Sequence, residues 1–268
     1  MTQIDGKYVL LTGGSRGVGP VIAEHLAGRG AHIALSARSE KELETVAENL
    51  RKHDVTVLTV RSDLSERNQR QKLVETVLGN FGRIDILINN AGVETEGAYT
   101  DLAWENIAEN IEVNLVAPME LIHLLLPGML ERRTGHVVNI ASVAAKCGGP
   151  YAAVYDATKA GIAELAQGLR LELHKSGVSF STIFPGFVRD VGMFARFNMK
   201  APLMMGSCTS TQVAKAVVRS IERNIPEIVV NSTPQKSFYA IKELSPSLGD
   251  FLLRRTGIVS FQRKKVGL

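Results

Sequence analysis

Short apolar runs alternate with amphipathic stretches along nearly the whole chain, and this alternation limits the available folds more than any other feature. The strand-like runs lie at 7–12, 31–37, 56–60, 84–89, 136–140, 178–184 and 227–231. Apolar residues at helical spacing lie between them, at 18–29, 40–52, 66–80, 104–130, 155–175 and 212–223. Regular alternation of this kind predicts an α/β fold of parallel strands with right-handed crossovers and helices on both faces.

The composition is that of an ordinary globular protein, and the positive charge is concentrated at one end. Of the 268 residues 45% are hydrophobic and 22% are charged, and this length suits one α/β unit. The net charge is +4, but residues 236–268 hold seven Lys/Arg and two Asp/Glu, so the remaining residues sum to −1. A nucleic-acid-binding body is therefore not expected. We predict one domain over residues 1–235 and a basic amphipathic extension over 236–268.

The cysteines and the start of the chain bear on the compartment. Cys147 and Cys208 give neither a disulfide framework nor a metal-ligand spacing. The start lacks the basic and apolar regions of a signal peptide, and no run approaches the ~18 apolar residues of a membrane-spanning helix. We expect a cytoplasmic protein without a metal site.

A glycine-rich segment at 12–19 (TGGSRGVG) joins the first predicted strand to the first predicted helix. Small residues let the backbone turn tightly and approach a pyrophosphate, and the helix N-terminus beyond offers free N–H groups. A glycine-rich turn without function is the alternative, but the position between a first strand and a first helix favours dinucleotide binding. The candidate cofactor-binding residues are Gly13, Ser15, Arg16, Gly17, Val18 and Gly19.

The end of the second predicted strand distinguishes between the two nicotinamide dinucleotides. An NAD site usually has an acidic residue there to bind the ribose hydroxyls, whereas this chain has Arg38 and Ser39. Arg38 and Arg16 can pair with a 2′-phosphate, which favours NADP(H), although each arginine could also be a solvated surface charge. Asp63, followed by Leu64 after the third strand, is positioned either to meet the adenine or to cap the next helix.

A candidate catalytic group consists of three residues that follow the fifth predicted strand in the chain. Ser142 follows the strand directly, and Tyr155 and Lys159 lie four residues apart on one face of the next helix. A nearby ammonium favours the phenolate, so Lys159 is expected to lower the pKa of Tyr155 from about 10. Tyr155 would then exchange a proton with a substrate oxygen, while Ser142 donates a hydrogen bond to it. An exposed Tyr–Lys pair without function is the alternative.

Taken together, these segments resemble those of a short-chain dehydrogenase/reductase. The resemblance extends from about Gly6 to Asn231 and rests on the glycine segment, Asn89-Asn90-Ala91-Gly92, Val113-Asn114-Leu115, Ser142, Tyr155-Asp156-Ala157-Thr158-Lys159 and Pro185-Gly186. It implies a doubly wound Rossmann fold with a seven-stranded parallel sheet, and a catalytic tetrad of Asn114, Ser142, Tyr155 and Lys159. Asn114 would hold a water on the proton path, and Lys159 would bind the nicotinamide ribose.

The same resemblance implies further cofactor contacts and an oligomer. The added contacts are Leu64, Asn90, Ala91, Gly92, Tyr155, Lys159, Pro185, Gly186 and Val188. Asp190 stands where many family members have a threonine that contacts the nicotinamide carboxamide, so either Asp190 or backbone groups of Val188 would make that contact. The oligomer would be a homodimer or homotetramer packed through the helices at 104–130 and 155–175.

The segment at about 188–208 loses its periodicity and is similar to the mobile lid that covers the substrate in this family. Residues 193–205 hold four of the seven methionines, and methionine suits apolar surfaces that re-pack. We hypothesise a bulky apolar ketone, lipid- or steroid-like, that is reduced reversibly to a secondary alcohol; simple packing of the lid onto the body is the alternative. The candidate pocket residues are Val93, Tyr151, Phe187, Met193 and Phe197.

Two other functions and two roles of the tail stay open. A 3-oxoacyl-thioester reductase has the same core motifs, whereas a non-catalytic NADP(H)-sensing module would be expected to lack Tyr155 or Lys159. In the tail, Ser245-Pro246 predicts a helix start and Gly257 a stop. The amphipathic end that closes on Arg263-Lys264-Lys265 predicts either peripheral contact with an anionic membrane or docking on a neighbouring subunit.

Overall fold

A computed structural model describes residues 3–268, and its centre is a parallel sheet. The strands are β1 (Tyr8–Thr12), β2 (His32–Ala37), β3 (Val57–Arg61), β4 (Ile86–Asn89), β5 (Gly135–Ile140), β6 (Val178–Pro185), β7 (Phe187–Val188), β8 (Ser207–Cys208) and β9 (Glu227–Val230). β7 and β8 pair with each other, and the other seven form the central sheet. The predicted Rossmann fold with a seven-stranded parallel sheet is confirmed.

The order of strands in the sheet, β3-β2-β1-β4-β5-β6-β9, reverses direction between β1 and β4. Because every neighbouring pair is parallel, the carboxyl ends of all seven strands lie at one edge. Ligands of open α/β sheets bind in the crevice at that edge, where the strand order reverses. The loops after β1, β4 and β5 carry the glycine segment, Asn90 and Ser142, so the topology brings these residues to one crevice.

Helices cover both faces of the sheet because alternate strand residues point to opposite sides. The helices of the body are α1 (Val18–Ala27), α2 (Glu40–Leu50), α3 (Arg67–Phe81), α4 (Trp104–Ile111), α5 (Ala117–Glu131), α6 (Ala153–Glu172), α7 (Gly192–Ala195) and α8 (Ser210–Arg223). Val9 and Leu11 of β1 belong to the core under α1, α2 and α8, whereas Leu10 belongs to the core under α3, α5 and α6. Strands buried on both sides are continuous apolar runs, which is why the sequence predicts them well.

The single helix predicted at 104–130 is interrupted in the structure. A five-residue π-helical segment, Glu112–Val116, separates α4 from α5. The joined stretch Trp104–Glu131 is long and apolar enough, by length and composition alone, to cross a membrane. Its residues Leu121 and Met129 are fully buried in the core beside the sheet, and this packing accounts for the apolar composition.

The lid and the tail both have regular structure. In the lid, β7 and β8 pair at the two ends and α7 lies between them. The tail consists of α9 (Lys236–Leu244), α10 (Pro246–Arg255) and α11 (Ile258–Lys265). Pro246 begins α10, and Gly257 takes a φ of 77° between α10 and α11, in line with their predicted start and stop roles. The tail packs against its own chain, which neither of the two expected roles anticipated.

Candidate active site

The glycine segment after β1 is held by Asn90 and has no room for side chains at two positions. The Asn90 side-chain amide donates hydrogen bonds to the carbonyl oxygens of Thr12 and Gly13, at 2.9 and 3.0 Å. A Cβ on Gly13 would lie 2.8 Å from the Cα of Ala91, and a Cβ on Gly19 would lie 2.1 Å from the carbonyl oxygen of Gly13. The glycines therefore allow the turn between β1 and α1 to pack against the loop after β4.

This turn forms a cradle at the N-terminus of α1 that suits a pyrophosphate. Ser15, Arg16 and Gly17 line the cleft, and Val18 is the first residue of the helix. The first turn of a helix has unpaired N–H groups and the positive end of the helix dipole, both of which favour a phosphate. Ser36 of β2 also lines the cleft, and its buried hydroxyl has no hydrogen-bond partner among residues 3–268. These groups fit a nicotinamide dinucleotide.

Two arginines and one unpredicted carboxylate lie near the end of β2. The Arg38 guanidinium is 3.4 Å from the Glu109 carboxylate. Because this ion pair is exposed, it contributes little to stability, and the Arg38 side chain can reorient toward a ligand. Arg16 lines the same cleft. Glu42 lines it too, and its carboxylate accepts a 3.0 Å hydrogen bond from the Ser15 hydroxyl. Although no acidic residue follows β2 directly, Glu42 brings a negative charge to this part of the cleft.

Asp63 closes a turn after β3. Its carboxylate accepts hydrogen bonds from the backbone N–H and the hydroxyl of Ser65, at 3.0 and 2.8 Å. The N-cap position of α3 is Glu66, so the expectation that Asp63 caps the next helix is wrong. Asp63 and Leu64 both line the cleft, which leaves the adenine contact as the remaining expectation for Asp63.

Ser142, Tyr155 and Lys159 lie together beyond the carboxyl end of β5. Ser142, Tyr155 and Lys159 all line the cavity wall, and Lys159 Nζ lies 5.7 Å from the centre of the Tyr155 ring. Lys159 Nζ donates a 2.9 Å hydrogen bond to the carbonyl oxygen of Ile140. An ammonium has three donors, so Lys159 keeps further donors for the hydroxyl groups of a ligand.

Burial controls the protonation of both titratable members of this group. It raises the pKa of Tyr155 above its ordinary value, the charge of Glu94 acts in the same direction, and the hydrogen bond with Ser142 opposes them. Burial lowers the pKa of Lys159 to about 8. The predicted lowering of the Tyr155 pKa is wrong for this structure, because the loss of solvation on burial is the largest effect and raises that pKa. Tyr155 is thus a neutral phenol near pH 7, which is the form that can donate a proton.

Asn114 lies in the π-helical segment, behind the wall of the site. Its Oδ1 accepts a hydrogen bond from the backbone N–H of Val93 and its Nδ2 donates one to the Val93 carbonyl oxygen, both at 2.9 Å. Nδ2 also donates to Asn110 Oδ1 at 2.8 Å and to Thr158 Oγ1 at 3.3 Å. Asn114 therefore fixes the loop after β4 against α6, the helix that carries Tyr155 and Lys159.

The site opens into a cavity of about 1010 Å³, which suits a cofactor and a substrate together. Most of the residues singled out in the sequence line it: Gly13, Ser15, Arg16, Gly17, Val18, Arg38, Ser39, Asp63, Leu64, Asn90, Ala91, Gly92, Val93, Ser142, Tyr155, Lys159, Pro185, Gly186, Phe187, Val188 and Met193. Gly19 and Asn114 are buried behind its wall.

Comparison with known proteins identifies the family. The sequence profile described as short chain dehydrogenase matches residues 7–201. The chain belongs to the short-chain dehydrogenase/reductase family. It is 37% identical to a ketoacyl reductase HetN from Nostoc sp. over 270 residues, which cover 99% of this chain and 94% of the relative. Like the other short-chain dehydrogenase/reductases, this chain is an oxidoreductase that uses a nicotinamide cofactor.

Two solved short-chain dehydrogenase/reductase structures show the same fold with different cofactors. A variant of actinorhodin polyketide ketoreductase with NADPH has a TM-score of 0.78 and 28% identity, covering 88% of this chain and 98% of that one. A short-chain dehydrogenase/reductase from Burkholderia phymatum in complex with NAD has a TM-score of 0.81 and 26% identity, covering 92% and 96%. Membership of the family does not decide between the two dinucleotides.

Two predicted pocket residues of this short-chain dehydrogenase/reductase lie outside the main cavity. Tyr151 takes a left-handed φ of 63° and lines a separate, smaller cavity with Tyr99 and Val259. Phe197 is partly exposed, and its ring centre lies 4.7 Å from Lys265 Nζ. The expectation that Tyr151 and Phe197 line the substrate pocket is wrong here, because closeness to the site in sequence does not fix the direction of a loop side chain.

Asp190 does not face the cavity of this short-chain dehydrogenase/reductase. Its carboxylate accepts hydrogen bonds from the backbone N–H and the hydroxyl of Ser210, at 2.9 and 2.7 Å, at the start of α8. Asp190 is exposed, whereas Val188 lines the cavity. Of the two expected carboxamide contacts, the backbone of Val188 is therefore the one that remains.

A charged corner of the cavity was not predicted from the sequence. Glu94, Glu96, Asp156 and Lys265 line it, and Lys265 Nζ lies 3.1 Å from Glu94 and 2.7 Å from Glu96. Burial raises the pKa of Glu96 to about 7, with a further contribution from Glu94, and burial also raises the pKa of Asp156 to about 7. The signal that could have revealed two of these residues is their position directly after the Asn89–Gly92 motif.

Proposed function

We propose that this short-chain dehydrogenase/reductase uses NADPH to reduce a ketone to a secondary alcohol, reversibly. The observation that carries the proposal is the grouping of the neutral phenol of Tyr155 with Ser142 and Lys159 at the cavity wall. The nicotinamide, when bound, supplies the hydride that the carbonyl carbon accepts. The side chains of the protein then have to supply the proton and stabilise the charge on the oxygen.

Tyr155 and Ser142 would bind the carbonyl oxygen together, because both line the cavity and Ser142 is close enough to affect the pKa of Tyr155. As negative charge develops, the O–H bond of Tyr155 breaks and its proton completes the alcohol. The ammonium of Lys159 stabilises the resulting phenolate, and its pKa of about 8 suits the return of a proton near neutral pH. Because its raised pKa keeps Tyr155 protonated but makes it a weaker acid, proton transfer depends on this stabilisation of the phenolate.

Asn114 would support this chemistry as a positioning residue. Its two hydrogen bonds to Val93 hold the loop after β4, and its contact with Thr158 holds that loop against α6. The water on the proton path that the family resemblance implies would lie on the cavity side of this arrangement.

NADPH is proposed over NADH because Arg16 and Arg38 line the cleft and no acidic residue follows β2 directly. The carboxylate of Glu42 in the same cleft would instead favour NADH, so Arg38 and Glu42 are both substituted in the test. Arg38→Ala should raise the KM for NADPH by about 10-fold and leave the KM for NADH unchanged, since an arginine pairs with the 2′-phosphate only. Glu42→Gln should change both values little. Equal losses with NADPH and NADH in Arg38→Ala would contradict the choice of cofactor.

A bulky apolar ketone, lipid- or steroid-like, is the proposed substrate. The lid and the tail contribute apolar side chains to the cavity wall, namely Phe187, Met193, Phe194, Met204, Met205, Phe238, Leu253 and Ile258. A 3-oxoacyl thioester is the rival substrate, favoured by the names of two similar proteins, the Nostoc ketoacyl reductase and the actinorhodin polyketide ketoreductase.

The consumption of NADPH over a panel of carbonyl compounds tests the proposal, and the same panel is repeated with NADH. The panel contains long-chain ketones, steroidal ketones, 3-oxoacyl thioesters and small polar keto acids. We expect turnover of the first two classes. Turnover of thioesters alone would select the rival substrate, and turnover of small keto acids alone would exclude both.

An oligomer and a membrane contact belong to the proposal as well. Trp104 and Leu171, in the two regions that were expected to pack between subunits, are 68% and 74% exposed in the single chain, which supports a homodimer or homotetramer. Light scattering on the purified protein measures its size. Leu244 and Phe251 of the tail are also exposed, and they could contact the surface of a membrane. Sedimentation with anionic liposomes tests this proposed peripheral contact.

A further inference from the structure

The inner face of α11 forms one wall of the cavity. Ile258, Gln262 and Lys265 are buried and line the cavity, at the spacing of one helix face. Arg263 and Lys264 are exposed to solvent. The basic run at the end of α11 is therefore divided, since two of its charges lie at the surface and the third enters the protein.

Lys265 connects three separate parts of the chain. Its Nζ lies 3.1 Å from Glu94 and 2.7 Å from Glu96, both in the loop after β4, and 4.7 Å from the ring centre of Phe197 in the lid. Only 1% of the Lys265 side chain and 8% of the Glu96 side chain are exposed. An ion pair shielded from water in this way fixes a geometry strictly, because separating the partners would leave a buried charge unpaired.

An aromatic cluster connects the same helix to the lid. Phe261 lies one turn before Lys265, and its ring centre is 5.6 Å from that of Phe187 and 6.2 Å from that of Phe194. α11 thus contacts the lid through aromatic rings and the loop after β4 through charges. A movement of α11 away from the cavity would have to break both sets of contacts.

The partners of Lys265 lie in the loop that Asn114 positions. Glu94 follows Val93, whose backbone is hydrogen-bonded to Asn114. One turn from Lys265, Gln262 lines the same cavity, and its buried side-chain carbonyl oxygen has no hydrogen-bond partner in the described part of the chain. The wall that α11 forms is therefore polar where it meets the loop after β4, and it is aromatic where Phe261 meets the lid.

We propose that Lys265 is a specificity-determining residue, which holds α11 as a wall of the substrate cavity by pairing with Glu94 and Glu96. The proposal rests on the proposed ketone reduction, because it assigns which ketones that site accepts. With the ion pairs intact, the wall limits the length of the apolar chain that a substrate carries. Without them α11 separates from the loop after β4, so longer chains are accepted and short ketones are held less firmly.

The test compares Lys265→Met with Lys264→Met. Methionine keeps an apolar stem of similar length, and Lys264 is the exposed neighbour in the same helix. Methyl ketones of increasing chain length are assayed at saturating NADPH, and kcat and KM are determined separately. Lys265→Met should raise the KM for short methyl ketones by about 10-fold with little change in kcat, and it should remove the upper limit of chain length. A wild-type chain-length profile in Lys265→Met would overturn the proposal.

Two further variants keep the test decisive if Lys265→Met does not fold. Glu96→Gln weakens the same ion pair from the other side, and it should shift the chain-length profile in the same direction by a smaller amount. Lys265→Arg keeps the charge and should retain the wild-type profile. An unchanged profile in Glu96→Gln together with an altered profile in Lys265→Arg would show that shape, not charge pairing, sets the limit.

A measurement without turnover separates this proposal from the proposed function. Trypsin cleaves after Arg254 and Arg255, and mass spectrometry follows the release of the segment that contains α11. Cleavage should be faster in Lys265→Met than in Lys264→Met, and equal rates would overturn the role of the ion pairs. If the wild-type protein reduces no ketone, the proposed function fails, while the cleavage rates still report whether Lys265 holds α11.

Discussion

The two sides of the cavity are held in place by different kinds of contact. On the cofactor side, the hydroxyl of Thr12 accepts hydrogen bonds from the backbone N–H groups of Asn90 and Ala91, both at 3.1 Å, and neighbouring strands fix the two loops. On the substrate side, contacts between side chains hold the lid and the tail. Lys265 pairs with Glu96, and the ring of Phe261 packs against the ring of Phe187. The proposed cofactor cradle is thus built on the sheet itself, whereas the proposed substrate wall depends on side chains that can change without disturbing the sheet.

The largest expected effect concerns the chemistry that both sides serve. Tyr155→Phe removes the proton donor and leaves the ring, so turnover should fall by about 10²–10⁴-fold while the Kd for NADPH stays unchanged. Tyr151→Phe is the matched control, because Tyr151 lies outside the main cavity and should keep its activity. Steady-state kinetics and NADPH fluorescence measure the two quantities. Full turnover in Tyr155→Phe would contradict the role of Tyr155 as proton donor, whereas a wild-type protein that binds NADPH without turnover would favour a module that only senses NADP(H).

The next largest effect should appear on the cofactor side. A Cβ at Gly19 would meet the Gly13 carbonyl oxygen at 2.1 Å, so Gly19→Ala forces the glycine segment to shift. We expect a loss of about 1–3 kcal/mol in the free energy of unfolding, and about 10-fold weaker NADPH binding or more.

Gly79→Ala provides the control for this change. Gly79 lies in α3 with nothing within 4 Å of its added Cβ, so alanine should stabilise the protein by about 0.5–1 kcal/mol. Urea unfolding and NADPH titration check both variants. Unweakened NADPH binding in Gly19→Ala would show that the cradle tolerates a wider turn than its packing suggests.

A smaller effect is expected on the substrate side, from charge. Above about pH 7, where Glu96 and Asp156 are ionised, the carboxylates of Glu94, Glu96 and Asp156 outnumber Lys265 in this corner of the cavity, so a substrate carboxylate meets net repulsion. A keto acid should have a kcat/KM about 10-fold lower than its methyl ester. Glu96→Gln should reduce this difference in kcat/KM between the keto acid and its methyl ester. The two substrates are compared at equal NADPH concentration, and a preference for the free acid would contradict the repulsion.

The smallest effect is on stability, and it depends on pH. Burial raises the pKa of Glu96 from 4.5, and that of Asp156 from 3.8, to about 7 in each case. At a pH between the ordinary pKa of each carboxyl and its raised pKa of about 7, the folded chain holds protons that the unfolded chain has released. The free energy of unfolding therefore falls as the pH rises through this range. Tm should decrease by a few degrees from about pH 5 to about pH 7.5. In Glu96→Gln the decrease should be smaller; an identical slope would show that Glu96 keeps an ordinary pKa.

The cofactor side could be predicted well from the sequence because its geometry is local. A buried strand, a glycine segment and a helix follow one another within residues 8–27, and backbone conformation there depends on nearby residue types. The four-residue spacing of Tyr155 and Lys159 is local in the same sense. The protonation of Tyr155 was not predictable, since it depends on burial and on Glu94, which lies 61 positions earlier in the chain.

The substrate side could not be predicted in this way. Lys265 meets Glu94 across 171 positions of the chain, and no periodicity in either segment signals the pair. The basic run at residues 263–265 has the pattern of a surface, and only the packing of α11 shows that one of its members is buried. Ion pairs over such distances leave no trace in hydrophobic patterning, because each partner alone is typical of an exposed residue.

The π-helical segment between α4 and α5 has a consequence for the phase of the long helix. A π-helical turn, with i→i+5 hydrogen bonds, accommodates one residue more than an α-helical turn, so deleting one residue from Glu112–Val116 would let α4 and α5 join as one regular helix. Leu121 would then stay in the core, whereas Asn114 would lose its alignment with Val93. The additional residue of this segment therefore serves the position of Asn114 and the loop after β4, and the packing of the core does not require it.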